Sequence, residues 1–223
     1  MKITWIGQAG LLFETNGLRI MIDPYLSDSV EKTNPKAYRR VPIDESLFSI
    51  QPDVMIFTHN HLDHYDPETV EKYIYSGSMT VLAPSSVWGV VRKYKGEHNY
   101  VQFDRHTQWT EKSVTFTAVK AAHSDTAAIG VIIDDGVKKY YITGDTLYNT
   151  EIFDDLPGDL EAVFLPINGV GNNMNAADAM RFARRCGARI AVPLHIGMLD
   201  DKSAESFMLD NRVIPTIYKE IQI

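Results

Sequence analysis

The sequence predicts an α/β chain folded as one domain over residues 1–223, with two β-sheets inside and helices outside. Three observations carry this. Short apolar runs of strand length recur in both halves, and tight hairpin signals, Asn16-Gly17 and Asp135-Gly136, join early strands in each half. Apolar runs then alternate with helical stretches in a β-α-β-α rhythm, which lays helices on a sheet. No linker separates the halves, and 223 residues suffice to bury a sizeable core.

Taken in order, residues 3–6, 10–15 and 18–22 read as three strands of an antiparallel meander that ends at Asp23-Pro24. Residues 25–43 read as an irregular loop, long enough to be a lid or binding loop. It holds Lys36, Arg39 and Arg40, the densest basic group of an acidic chain and a candidate clamp for an anionic substrate group. Residues 53–57 form a buried strand running straight into Thr58-His59-Asn60-His61-Leu62-Asp63-His64. Asp66-Pro67 supplies an N-cap and a first-turn proline for a helix to about Tyr75. A strand at 79–83 and a helix over 84–95 follow. The alternating stretch 113–119 is β-rich, 127–133 and 138–143 form a hairpin, and 162–166 is a strand. The polar loop Asn168 to Asn173 comes next, with Asn168 and Asn172 as candidates for contacts to substrate. Asn175 caps a helix through Cys186, whose apolar stripe is Ala176, Ala179, Met180, Ala183 and Cys186, and Gly187 stops it. Residues 190–194 are a strand ending at His195, and 203–209 read as a last short helix.

The net charge is −7, which argues against nucleic acid as a partner. The single cysteine permits no internal disulfide and no Cys-zinc site, so a reducing compartment, the cytoplasm, is expected. No apolar run reaches membrane-span length, and no amphipathic membrane-binding helix is evident. Self-association into a homo-oligomer stays open.

Three histidines and an aspartate within six residues, placed where a buried strand ends, are a metal-ligand pattern. Imidazole and carboxylate together suit Zn²⁺, Mn²⁺ or Fe²⁺. Of the seven histidines, His59, His61, His64, His123 and His195 fall at predicted strand ends, together with Asp23, Asp63 and Asp145. Ligands gathered from several strand ends share one rim. His98 and His106 lie in polar loop sequence and are read as non-ligands. Asp23 and Thr58 are placed to support ligands from behind.

The string His59-x-His61-x-Asp63-His64, followed by His123, Gly144-Asp145 and His195, resembles the metallo-β-lactamase superfamily across nearly the whole chain. The resemblance implies a four-layer αββα sandwich with metals at one edge. Carried over residue by residue, His59, His61 and His123 would hold one divalent ion, Asp63, His64 and His195 a second, and Asp145 would bridge them. The lactamases proper place a cysteine near the position of Asp145, so the aspartate is closer to hydrolases such as glyoxalase II. His61 stands where the flavodiiron branch has glutamate, which disfavours redox chemistry. Trp5-Ile6-Gly7-Gln8-Ala9-Gly10, the run from Ile22-Asp23-Pro24 to Ser29, and His61-Leu62-Asp63-His64 are similar to the L-ascorbate 6-phosphate lactonase group. That implies a manganese-dependent cytoplasmic lactone hydrolase. The same motifs also resemble uncharacterised metal-dependent hydrolases and a phospholipase D acting on N-acyl-phosphatidylethanolamine.

Two Mn²⁺ or Zn²⁺ ions roughly 3.5–4 Å apart would acidify a shared water for attack on a carbonyl or phosphorus. Asp63 is the expected catalytic residue, accepting a proton from the nucleophile or orienting it. The expected reaction is hydrolysis of a lactone or ester of a small anionic molecule. The alternatives are a phosphodiesterase acting on a nucleotide or phospholipid, and a non-catalytic metal-binding or sensor protein.

Overall fold

Asn16 and Gly17 take left-handed backbone angles, φ 51° and 70°, which a two-residue turn between right-twisted strands requires. They join β2 (Gly10–Thr15) to β3 (Leu18–Ile22), and β1 (Lys2–Gly7) pairs antiparallel on the far side of β2. The computed structural model describes all residues Met1–Ile223. In it, β3 continues into a parallel series with β4 (Val54–Ile56), β5 (Thr80–Ala83) and β6 (Asn99–Gln102), giving one six-stranded sheet in the order β1-β2-β3-β4-β5-β6. The second sheet is also six-stranded and mixed. Its antiparallel strands are β7 (Gln108–Glu111), β8 (Val114–Lys120), β9 (Ile129–Asp134) and β10 (Lys139–Ile142). Two more, β11 (Leu160–Pro166) and β12 (Ile190–Leu194), run parallel to β10.

Four helices accompany the sheets: α1 (Ser29–Thr33), α2 (Pro67–Ile74), α3 (Ser85–Val91) and α4 (Ala176–Cys186). The expected caps form. Asp66 accepts the Glu68 amide, Asn175 accepts the Asp178 amide, and Gly187 ends α4 at φ 69°. Side-chain alternation then builds the layers. Tyr140 of β10 turns inward and meets Phe13 of the first sheet edge-on at 6.1 Å, while Phe164 meets the same ring at 5.8 Å. Its neighbour Tyr141 turns outward onto Phe182 of α4. On the opposite side Met21, Met55, Phe57 and Val81 pack against Val70, Tyr73, Val87 and Val91 of α2 and α3. The order of layers is therefore α2 and α3, first sheet, second sheet, α4. Burying a phenylalanine such as Phe13 or Phe164 contributes roughly 2–3 kcal/mol. Deleting either would destabilise by about 3–5 kcal/mol, because the facing rings cannot collapse into the gap.

The residues after β12 cover both exposed flanks on one side of the sandwich. Residues 211–213 bond along β12 (Ala191 N–H to Asn211 C=O, 3.1 Å; Val213 N–H to Ala191 C=O, 3.0 Å). Residues 218–221 bond along β1 (Tyr218 N–H to Trp5 C=O and Ile221 N–H to Ile3 C=O, both 2.8 Å). No helix is long and apolar enough to cross a membrane.

Several elements differ from expectation. The 25–43 stretch contains the short helix α1, and short 3₁₀ helices occupy Glu45–Ser49 and Thr150–Asp155. β6 and β7 carry no strand pattern of their own; they are four-residue edge strands whose extended form comes from pairing. The stretch 203–209 is not helical. Phe207 and Leu209 are buried while Met208 between them is 61% exposed, an alternation of period two.

The topology fixes the site. β1, β3, β4, β8, β10, β11 and β12 all run in the same sense within their sheets. The segments that follow them carry Gln8, Asp23, the 58–64 string, His123, Asp145, Asn168 and His195.

Candidate metal centre

The backbone at this rim is forced into unusual angles that aim side chains inward. Asp23 and His195 both lie in the left-handed region, at φ 44° and 64°. Gly144, at φ 59°, lets the end of β10 pass the 58–64 string. A Cβ there would sit 2.9 Å from both the Ile129 carbonyl oxygen and the Thr58 Cβ.

The seven side chains expected as ligands come together in two groups, His59, His61, His123 and Asp145 in one and Asp63, His64 and His195 in the other. Within each group the ligand atoms all lie within 4.8 Å of one another. Asp145 also reaches the second group, with Oδ1 3.3 Å from His64 Nε2 and Oδ2 3.3 Å from His195 Nε2.

Each histidine is held by one ring nitrogen and offers the other. Thr58 donates its hydroxyl to Asp23 Oδ2 (2.5 Å), so its oxygen is left to accept from His59 Nδ1 at 3.1 Å. His59 Nε2 then carries the lone pair. His64 Nδ1 donates to Asp23 Oδ2 at 2.7 Å. Asp23 also accepts the Thr58 amide at 2.8 Å. His61 Nε2 lies 3.2 Å from the Ser124 hydroxyl, and its Nδ1 faces His123 Nε2 at 3.1 Å. His123 Nδ1 donates to the Asn172 carbonyl at 3.3 Å. His195 Nδ1 meets the Asn168 amide at 2.9 Å. With the amide oxygen turned inward, Asn168 accepts the Nδ1 proton and leaves Nε2 free. Such outer partners orient ligands and raise their basicity.

The inner atoms pass a direct test for a bound cation. His59 Nε2, His64 Nε2 and Asp145 Oδ1 are buried and have no hydrogen-bond partner. A buried orphan costs about 1–3 kcal/mol, and three converging orphans of ligand type are what a bound cation would satisfy. The electrostatics agree. Burial, then the neighbouring His64, holds His59 well below the ordinary imidazole range, and burial lowers His123, so both are in the ligating neutral form. Burial opposes charge on Asp63 and Asp145 too, but His64 and His195 overcome it and keep both carboxyls ionised. The same carboxylates, against burial, push His195 up to about 10 and His64 well above its usual value. The carboxylates thus give the pocket a negative field that favours cations.

The remaining candidates are placed differently. Arg39 is buried under its own loop; it donates to the Tyr25 and Ser27 carbonyls and lies over the Tyr25 ring at 4.7 Å. Arg40 pairs with Asp201 at 2.7 Å. Neither bonds to the cluster, but the Arg40 amide bonds the Met198 carbonyl, stitching this loop to the one after His195. Lys36 is exposed. Asn172 reaches His123 through its backbone. His106 bonds Asp155 outside the cluster, and His98 also lies outside it. Burial pushes the Cys186 thiol up, in keeping with a core residue. Sequence reasoning missed three contributors. Gln8 donates to Asp63 Oδ2 (2.8 Å), Asn173 donates to Asp145 Oδ2 (2.8 Å), and Ser124 supports His61. Gln8 and Asn173 lie within stretches already singled out, the Trp5–Gly10 motif and the Asn168–Asn173 loop, and Ser124 directly follows His123.

Comparison with known proteins now bears on the centre. The family described as "Beta-lactamase superfamily domain" matches residues 18–196, a stretch that holds all seven ligand-type side chains. The chain belongs to this superfamily. Among its superfamily relatives is a UPF0173 protein of Pyrococcus abyssi, 27% identical over 227 residues, with 100% of this chain and 97% of the relative covered. A UPF0173 metal-dependent hydrolase of Methanopyrus kandleri is 26% identical over 211 residues, covering 88% of this chain and 84% of the relative. The solved isothiocyanate hydrolase from Delia radicum gut bacteria shares the superfamily fold. It has a TM-score of 0.77 at 20% identity and covers 100% of this chain and 99% of its own.

Proposed function

We propose that the chain is a metal-dependent hydrolase that binds two divalent ions, Mn²⁺ or Zn²⁺, and opens a lactone or ester of a small anionic molecule. The observation that carries this reading is Asp145, one carboxylate within reach of both ligand groups. His59, His61 and His123 would hold one ion, Asp63, His64 and His195 the other, with Asp145 shared. Ions bound there would supply an acidified water and a Lewis acid for the substrate oxygen.

The chain's own groups do the rest. Asp63 is ionised and its side chain is 20% exposed, whereas His64 beside it is fully buried. It is the carboxylate placed to meet a water entering from solvent and take its proton. Asp23, Thr58, Ser124 and Asn168 fix the imidazoles so that each presents a lone pair. Lys36, on the loop stitched to the segment after His195, attracts the substrate's negative charge. The single cysteine supports a cytoplasmic setting.

The test is hydrolysis by Mn²⁺-loaded protein of a sugar-acid phosphate lactone, with a bis-aryl phosphodiester in parallel. Lactone turnover that is lost on chelation supports the reading. Turnover of the diester alone moves the enzyme to the phosphodiesterases. Wild-type turnover and metal content in His59→Ala would sink the site assignment.

A further inference from the structure

Gln8 lies ahead of the family-matched stretch, at the turn between β1 and β2, yet its side chain enters the centre. It is 3% exposed and takes φ 50°, a left-handed angle uncommon for glutamine. A carboxylate only accepts hydrogen bonds, so the amide end facing Asp63 Oδ2 at 2.8 Å is the NH₂ group. The same nitrogen is 3.1 Å from His195 Nδ1 and 3.2 Å from His195 Nε2. Near-equal distances to both ring nitrogens place it over the imidazole rather than in line with either lone pair. The Gln8 backbone joins in, since its carbonyl accepts the His195 amide (3.2 Å) and the Trp5 indole N–H (3.0 Å). Gly7 brings the turn this close. At φ 104° it lies against Met198, and a Cβ there would be 2.0 Å from the Met198 methyl.

We infer that Gln8 is a positioning residue that locks Asp63 and His195 together as one preformed half-site, so that the second ion, but not the first, depends on the β1–β2 turn. The asymmetry is visible in the partners. His59, His61 and His123 are held by Thr58, Ser124 and the Asn172 carbonyl, none of which touches Gln8. Asp63 is held by the Gln8 side chain, and His195 by the Gln8 backbone carbonyl with the side-chain amide lying over its ring. A neutral donor suits this place, because it fixes one carboxylate oxygen without adding charge and leaves His195 Nε2 free. The inference rests on the reading of the cluster as a metal centre.

The test is equilibrium dialysis of the wild type, Gln8→Asn and Gln8→Ala against Mn²⁺ and Zn²⁺, with elemental analysis. Asparagine takes left-handed angles readily, so Gln8→Asn keeps the turn while its amide, one methylene shorter, falls short of Asp63. The second equivalent should bind about 10–100-fold more weakly in both variants, with the first unchanged. Thermal unfolding of metal-free Gln8→Asn should stay cooperative, with a melting temperature within about 2–8 °C of the wild type. Two equivalents bound as in the wild type would overturn the inference, as would equal weakening of both. If the wild type takes a single ion, the inference is overturned, because there is no second equivalent for Gln8 to support. Dialysis reads metal alone, so a protein that loads as described but hydrolyses nothing would fail the proposed function and leave the role of Gln8 standing.

Discussion

Asp23 Oδ2 lies 2.7 Å from His64 Nδ1, both side chains being essentially excluded from water. The carboxylate also takes the Thr58 amide and hydroxyl, so one residue orients His64 directly and His59 through Thr58. Asp23→Asn keeps the left-handed turn and removes the charge. Metal affinity should drop about 10–100-fold, read by competition with a chromogenic chelator. Unaltered affinity would remove Asp23 from the centre.

Chelation should lower the melting temperature. The pocket gathers buried carboxylates and unpartnered ring nitrogens that an ion would satisfy. Binding to the folded state alone adds about 2.7 kcal/mol when free metal is 100-fold above the dissociation constant. Calorimetry across a metal titration should show a melting temperature that climbs with concentration, and a flat response would count against a preformed site.

Gly144→Ala should destabilise the fold as well as the centre. Its φ of 59° strains any side chain by roughly 1–3 kcal/mol. The added Cβ also meets backbone at 2.9 Å, where nothing can swing away. Urea unfolding should show a loss of at least about 2 kcal/mol; a near-neutral variant would mean that β10 and the 58–64 string can separate cheaply.

Asp155 supports the second sheet and is not part of the His/Asp cluster. Arg105 is the chief cause that holds its carboxyl down at about 2, helped by the Lys120 amide. A folded-state value below the ordinary 3.8 gives stabilisation that is complete above 3.8 and fades as pH falls toward 2. Asp155→Asn should cost about 2 kcal/mol at pH 7 and much less near pH 2.5. Equal losses at both, measured by denaturant titration, would show that charge is not what Asp155 contributes.

Most of this architecture is legible in the sequence because strong local signals agree with the global fold. The Asn16-Gly17 turn, the Asp66-Pro67 and Asn175 helix starts and the six-residue histidine string each encode their own geometry. The less legible parts depend on distant pairing. β6 and β7 are strands only because neighbours complete them, and Phe207 and Leu209 are buried without the expected helix forming. Arg39 looked free in a basic run, yet two backbone carbonyls and the Tyr25 ring absorb it. Gln8 stands 55 residues from Asp63 and 187 from His195, a juxtaposition that only the closed sandwich creates.

The final strip of chain carries a hazard of its own. By lying on β12 and then on β1 it masks two rows of unpaired amides and carbonyls with one ribbon. Nicking or fraying near Asn211 would bare both flanks at once, and exposed strand edges recruit other chains. Loss of a dozen residues that carry none of the ligand-type side chains would then appear first as turbidity and self-association.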